Sequence, residues 1–164
     1  DPVGRIVLGL ANCKASDEMR LSDSICTGLQ LVNFWQDVRR DYLGGRIYIP
    51  AEDMRRHRVS EEMFKSPSAS PEFISLLTDE VAWAEQCFDN GQALLETAPF
   101  VLRPAIQLFL GGGRGVAQAI RRAGFDTLAK RPVLQKRTKM KLALRAAAHM
   151  VMIRVQQVFQ GTWS

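Results

Sequence analysis

The sequence has little cysteine, histidine or tyrosine, with three, two and two residues in 164. Cys13, Cys26 and Cys87 are odd in number and far apart, and they lack CxxC or Cys/His ligand spacing. They therefore support neither a disulfide framework nor a zinc site, and a reducing, cytoplasmic setting is expected. Long apolar runs are missing as well. Arg103 splits the longest candidate, and Arg145 and Arg154 split the next, so no stretch reaches the roughly 18 to 20 residues of a spanning helix. Strand signals are confined to Arg46-Ile47-Tyr48-Ile49-Pro50. No signal-peptide pattern opens the chain, and its first residue is Asp1 rather than Met, so a fragment is expected.

What remains is a soluble or membrane-peripheral all-α chain. Apolar residues make up 46% and charged residues 24%, the balance of a folded globular domain. The net charge of +5 suits three kinds of partner: nucleic acid, an anionic membrane surface, or a small polyanion such as a diphosphate.

Helical periodicity predicts a short helix from Pro2 to Leu10 and a long one after Ser16, with Asp17 and Glu18 in its first turn and Gly44-Gly45 at its end. A short piece at Glu52–Arg56 follows, then a helix capped at Ser60 and a loop from Ser66 to Pro71. Phe73, Leu76, Leu77, Val81, Ala84, Phe88 and Leu95 recur at three- and four-residue steps, predicting a core helix over Pro71–Glu96. Pro104 and Gly124 frame another helix, which contains Gly111-Gly112-Gly113, a weakening of about 1 kcal/mol per glycine relative to alanine. A last helix is expected over Lys136–Gln160.

On the long helix, at about 100° per residue, Gln30, Asn33, Asp37 and Asp41 share a narrow arc. Leu31, Phe34, Trp35, Val38 and Tyr42 lie on another face. Asp37 and Asp41 repel mildly unless a cation sits between them. Two carboxylates and an amide are oxygen donors suited to magnesium, or to manganese as a similar dication, with phosphate oxygens completing the shell. Toward the N-terminus the arc continues through Cys26, Ser22 and Met19, which are small or apolar groups against which an isoprenoid tail would fit. Periodicity alone leaves a second reading standing, in which both aspartates pair with Arg40 or other arginines on a solvated face.

The run Gln30-Leu31-Val32-Asn33-Phe34-Trp35-Gln36-Asp37-Val38-Arg39-Arg40-Asp41, with Gly45-Arg46-Ile47-Tyr48-Ile49-Pro50 behind it, resembles the second aspartate-rich motif of the squalene/phytoene synthase family. Asn90-Gly91-Gln92-Ala93-Leu94-Leu95, Gly112-Gly113 and Gly124-Phe125-Asp126 leading to Arg131-Pro132 resemble later landmarks of the same family. Within it, Asp1-Pro2-Val3-Gly4-Arg5 and Asn33-Phe34-Trp35-Gln36-Asp37 are most similar to bacterial hydroxysqualene synthases of hopanoid biosynthesis, the HpnC type.

The resemblance implies an isoprenoid-synthase-type helical bundle, of which residues 1–164 are the C-terminal portion, incomplete at its N-terminal side. It implies magnesium-dependent ionisation of presqualene diphosphate with water capture to hydroxysqualene, without NADPH. Relatives instead join two farnesyl or geranylgeranyl diphosphates head to head.

By the same resemblance Asn33, Asp37 and Asp41 bind metal, while Gln30 and Cys26 line the substrate site. Arg46 and Tyr48 touch the diphosphate or hold its geometry, Tyr48 as a catalytic hydroxyl beside Asp37 and Asp41; read as residues alone, a loop salt bridge for Arg46 and a half-buried packing ring for Tyr48 stay open. Gln36 stands where carotenoid-type members often carry Arg. The family's first aspartate-rich motif is expected on a missing N-terminal segment, so the fragment alone is expected to be inactive.

A non-catalytic assembly factor of the same family would be expected to lose these carboxylates. A nucleic-acid-binding domain would require a recognition module, which the scattered charges do not form. Peripheral membrane contact through the basic, apolar last helix is a further expectation. His57 and His149 are expected at the surface or in packing, and Gly111–Gly115 lacks the strand and Lys-Ser/Thr ending of a phosphate loop. Trp35, Trp83 and Phe109 are read as either cation-shielding or core aromatics.

Overall fold

The computed structural model describes residues 16–134 and, beyond them, residues 136, 137, 140, 141, 144 and 148. The long helix α1 (Ser16–Leu43) carries Asp17 and Glu18 in its first turn, where they complement the helix dipole. It ends in a Schellman turn: the Arg46 N–H bonds the Asp41 carbonyl and the Gly45 N–H bonds the Tyr42 carbonyl, both at 2.9 Å. Gly45 has φ +74°, a conformation that a side chain makes costly.

Then come α2 (Ala51–Arg56), a 3₁₀ turn at Glu61–Lys65, α3 (Pro71–Gly91), α4 (Leu94–Thr97), a second 3₁₀ turn at Phe100–Leu102 and α5 (Arg103–Arg122). No strand occurs among the described residues, and Arg46–Pro50 runs as an extended loop. The Pro2–Leu10 helix lies outside the described residues. So does most of Lys136–Gln160, of which the six described residues are helical.

The helix α3 starts as its sequence predicts. The Ser70 hydroxyl accepts from the Phe73 N–H at 3.2 Å, and Pro71 occupies the first turn. Its periodic face is core: Phe73, Leu76, Leu77, Val81, Ala84 and Phe88 are fully buried. The Phe88 ring lies between Gly28 of α1 and Gly113 of α5. A Cβ on Gly113 would sit 2.2 Å from Phe88 Cζ, and one on Gly28 would sit 2.8 Å from Phe88 Cε1. The glycine run therefore does not break α5. It lets three helices meet around one ring, whose loss would cost on the order of 3 to 5 kcal/mol.

Two expected elements differ. Pro71–Glu96 is not one helix, because it stops at Gly91, where the Gln92 N–H turns back to the Asp89 carbonyl. Asn90 and Gly91 are poor helix formers and allow the break. The Ser60 element is a single 3₁₀ turn, with no hydrogen bond from the Ser60 side chain. Phe64 in that turn is fully buried against Tyr42 and Phe73, with ring centroids 5.5 and 5.7 Å apart. Tertiary packing of this one ring holds the short element.

Candidate functional site

The two faces of α1 separate as their periodicity requires. Leu31, Val32, Trp35 and Val38 are buried, while Gln30 and Asn33 are exposed. Trp35 donates its indole N–H to the Glu80 carbonyl of α3 at 3.1 Å, which fixes the rotation of α1 and hence where its polar arc points. Along that arc the Asp37 and Asp41 side chains each keep only 16% of their surface exposed.

Each carboxylate faces an arginine. Arg131 grips Asp37 with both prongs of its fork, Nε to Oδ1 at 2.6 Å and Nη2 to Oδ2 at 2.9 Å. The hydrogen bond from Arg131 is the main cause that holds the Asp37 carboxyl below its usual range, against the opposing effect of burial. Arg131 Nη2 also donates to Gln36 Oε1 at 2.9 Å, and Gln36 Nε2 donates to the Pro132 carbonyl. Gln36 is buried, so this residue braces the arginine from behind rather than facing the arc.

Arg131 reaches α1 because Asp126 pins the chain ahead of it. One Asp126 oxygen accepts the N–H groups of Ala69 at 3.0 Å and Ala129 at 2.9 Å.

Asp41 pairs with Arg46 at 3.2 Å, a contact set by the turn at Gly45 that reverses the chain. In the following extended segment the side chains alternate: Arg46 and Tyr48 are exposed, Ile47 is half-buried and Ile49 is buried. Tyr48 stacks on Phe34 at 4.1 Å with the rings 12° from parallel, so its ring stands beside the polar arc. Gln30, Asn33, Asp37, Asp41, Arg46 and Tyr48 thus come together along the C-terminal half of α1. The arginine-paired reading of the aspartates is the one these contacts realise, with Arg131 and Arg46 as the partners rather than Arg40.

The N-terminal continuation of the arc is more enclosed than its C-terminal half. Ser22 is buried, Met19 packs against the core and Cys26 is half-buried, because here α1 turns that face into the helix packing. Neither Cys26 nor Cys87 is in a disulfide. Trp35 is core, whereas Trp83 and Phe109 are nearly half exposed.

His57 contacts Asp79 at 3.1 Å through Nε2 and Ser75 at 3.2 Å through Nδ1, a serine–histidine–aspartate set that sequence spacing does not reveal. Ser75 and Asp79 lie on the exposed side of α3, where the backbone N–H groups are spent on helical bonds and offer no oxyanion hole. His149 lies outside the described residues.

As a metal cradle the donors Asn33, Asp37 and Asp41 have the right hard-oxygen chemistry and lie on one arc. They hold two carboxylates, and no group of three or more His, Cys, Asp or Glu residues among the described residues is arranged to hold an ion. They fit half of a metal–diphosphate site. Arg131 was legible only as part of the Arg131-Pro132 landmark. No periodicity connects it to a residue 94 positions earlier.

The family model for squalene/phytoene synthase matches residues 1–139. The chain belongs to the squalene/phytoene synthase family. A hydroxysqualene synthase of Sinorhizobium fredii is 32% identical over 111 residues, covering 66% of this chain and 38% of that protein. A phytoene synthase of Thermus thermophilus is 29% identical over 133 residues, covering 81% and 45%. Among solved structures, squalene synthase HpnC from Alicyclobacillus acidocaldarius superposes with a TM-score of 0.73 at 36% identity, over 76% of this chain and 47% of that one. The all-α squalene-synthase-type fold expected from the sequence is borne out. This chain spans less than half the length of these family members.

Proposed function

We propose that this chain carries one magnesium–diphosphate half-site of a prenyl-diphosphate-using synthase, with presqualene diphosphate as substrate and hydroxysqualene, formed by water capture, as product. The observation that carries the reading is the arc itself. Two aspartates and an asparagine stand together outside the core of α1, beside Arg46 and Tyr48 from the turn that follows and Arg131 from a distant part of the chain. In this reading Asn33, Asp37 and Asp41 supply the metal's protein oxygens, and Gln30 lines the substrate. Bound magnesium neutralises the diphosphate and makes it a better leaving group.

Released from Asp37 and Asp41 once these carboxylates hold the metal, Arg131 and Arg46 turn their planar donor forks to phosphate oxygens, and the Tyr48 hydroxyl offers one further donor. Gln36 keeps Arg131 oriented. The hydroxysqualene synthase and HpnC similarities favour this product. Head-to-head condensation of two farnesyl or geranylgeranyl diphosphates is the second reading, favoured by the similarity to phytoene synthase. A non-catalytic assembly role has less support, because the carboxylates of the arc are present.

The test is incubation of the full-length protein with magnesium and either farnesyl or presqualene diphosphate, followed by product analysis. Asp37→Ala is expected to abolish diphosphate release. Unchanged product yield in that variant would overturn the assignment.

A further inference from the structure

Away from the aspartate arc, Asp53, Arg56, His57, Asp79, Glu80 and Trp83 line a cavity of about 250 Å³ between α2 and α3. Its lining opposes the sign of the chain: three carboxyl groups stand against one arginine, in a protein of net charge +5. Two of the three are matched. Arg56 Nη1 lies 3.0 Å from Asp53, and His57 Nε2 lies 3.1 Å from Asp79.

Glu80 is different. It is only 4% exposed, and its Oε2 has no hydrogen-bond partner. The neighbouring Asp53 carboxylate is itself an acceptor, so it satisfies Glu80 only if the two share a proton. Burial first, and Asp53 second, push the Glu80 carboxyl up to about 7. Near neutral pH this buried acid therefore requires a proton or another positively charged donor.

A metal ion matches the cavity poorly, because no described group of three acidic, histidine or cysteine side chains is arranged to hold one. An N–H donor matches better. It bonds carboxylates one by one, and the half-exposed Trp83 ring on the cavity wall offers a face to a cation. We propose that this cavity binds a primary ammonium group, with Glu80 as its inner acceptor, Asp53 and Asp79 beside it and the Trp83 ring against it. The exchange is balanced: the ammonium keeps its own protons, Glu80 gives its proton to solvent, and the resulting carboxylate accepts an N–H. Arg56 is the resident competitor, and its 63% exposed side chain is able to swing into solvent. A free alkylamine and a lysine side chain of a protein segment present the same group.

The test uses the whole chain, titrated at pH 7 with n-butylammonium chloride or with a capped Gly-Lys-Gly peptide, against sodium chloride at equal ionic strength. Binding is read from the Trp83 indole NMR signal, and proton release from calorimetry in two buffers of different ionisation enthalpy. Saturable binding with proton release is expected in at least one arm. It should weaken at least tenfold in Glu80→Gln, which mimics the protonated acid and leaves the melting temperature no lower. It should weaken also in Asp79→Asn, at an exposed position. At least tenfold tighter binding of the peptide assigns the site to a protein lysine, and equal binding assigns it to free amines. A response no greater than that to sodium, or equal binding by Glu80→Gln, would overturn the proposal.

Discussion

Arg131 lies across the Asp37 carboxylate with both ends of its guanidinium fork, 2.6 and 2.9 Å from the two oxygens, and so occupies both of that side chain's donor oxygens. A permanent cation fixed by Gln36 competes with a bare dication for the Asp37 oxygens and attracts a diphosphate. Arg131→Ala should therefore bind magnesium alone more tightly and inorganic diphosphate more weakly, by roughly tenfold in each direction for about 1.4 kcal/mol. Calorimetric titration of the variant with each ligand checks this. Changes of the same sign for both would contradict it.

The same pair sets an acid limit. The folded Asp37 carboxyl lies below its ordinary 3.8, so the pair's stabilisation is full above that value and is lost as pH falls through the lower, folded one. Arg131→Ala should move the Asp37 titration, followed by carboxyl-carbon NMR, back toward the ordinary value.

Glu80 acts in the opposite direction. Its pKa rises from 4.5 to about 7 on folding, so the native state holds the proton more tightly and stability declines as pH rises between those values. At 1.36 kcal/mol per pH unit the decline is on the order of 3 kcal/mol. Urea denaturation from pH 4.5 to 8 should show this slope in the natural chain and lose it in Glu80→Gln.

Two adjacent glycines should respond with opposite signs. A Cβ on Gly113 collides with Phe88 at 2.2 Å, whereas one on Gly112 meets nothing within 4 Å. Gly113→Ala should destabilise by about 1 to 3 kcal/mol. Gly112→Ala should stabilise by up to about 1 kcal/mol through helix propensity. Thermal melts of the two variants decide it.

Asp126→Ala removes the acceptor for the Ala69 and Ala129 N–H groups. A loss of about 1 to 2 kcal/mol is expected. Because Arg131 follows two residues after Ala129, Asp37 should also titrate closer to 3.8 in this variant, although neither residue of the ion pair is altered.

The long helix, its end at Gly45 and its polar arc are legible in the sequence. Leu31, Trp35 and Val38 against Asn33, Asp37 and Asp41 is a local, 3.6-residue pattern, and the turn at Gly45 that returns Arg46 to Asp41 is local too. The sequence overstates two elements: the helix through Gly91, which the poor helix formers Asn90 and Gly91 end, and the Ser60 helix, where burial of Phe64 holds only a 3₁₀ turn.

Tertiary packing alone sets Arg131 against Asp37, turns Gln36 inward to brace it and buries Glu80 beside Asp53 with its Oε2 unpartnered. These contacts join residues 27 to 95 positions apart. Asp126 anchoring the chain ahead of Arg131 and α2 lying against α3 bring these side chains together, and no periodicity along one helix encodes which distant side chain arrives.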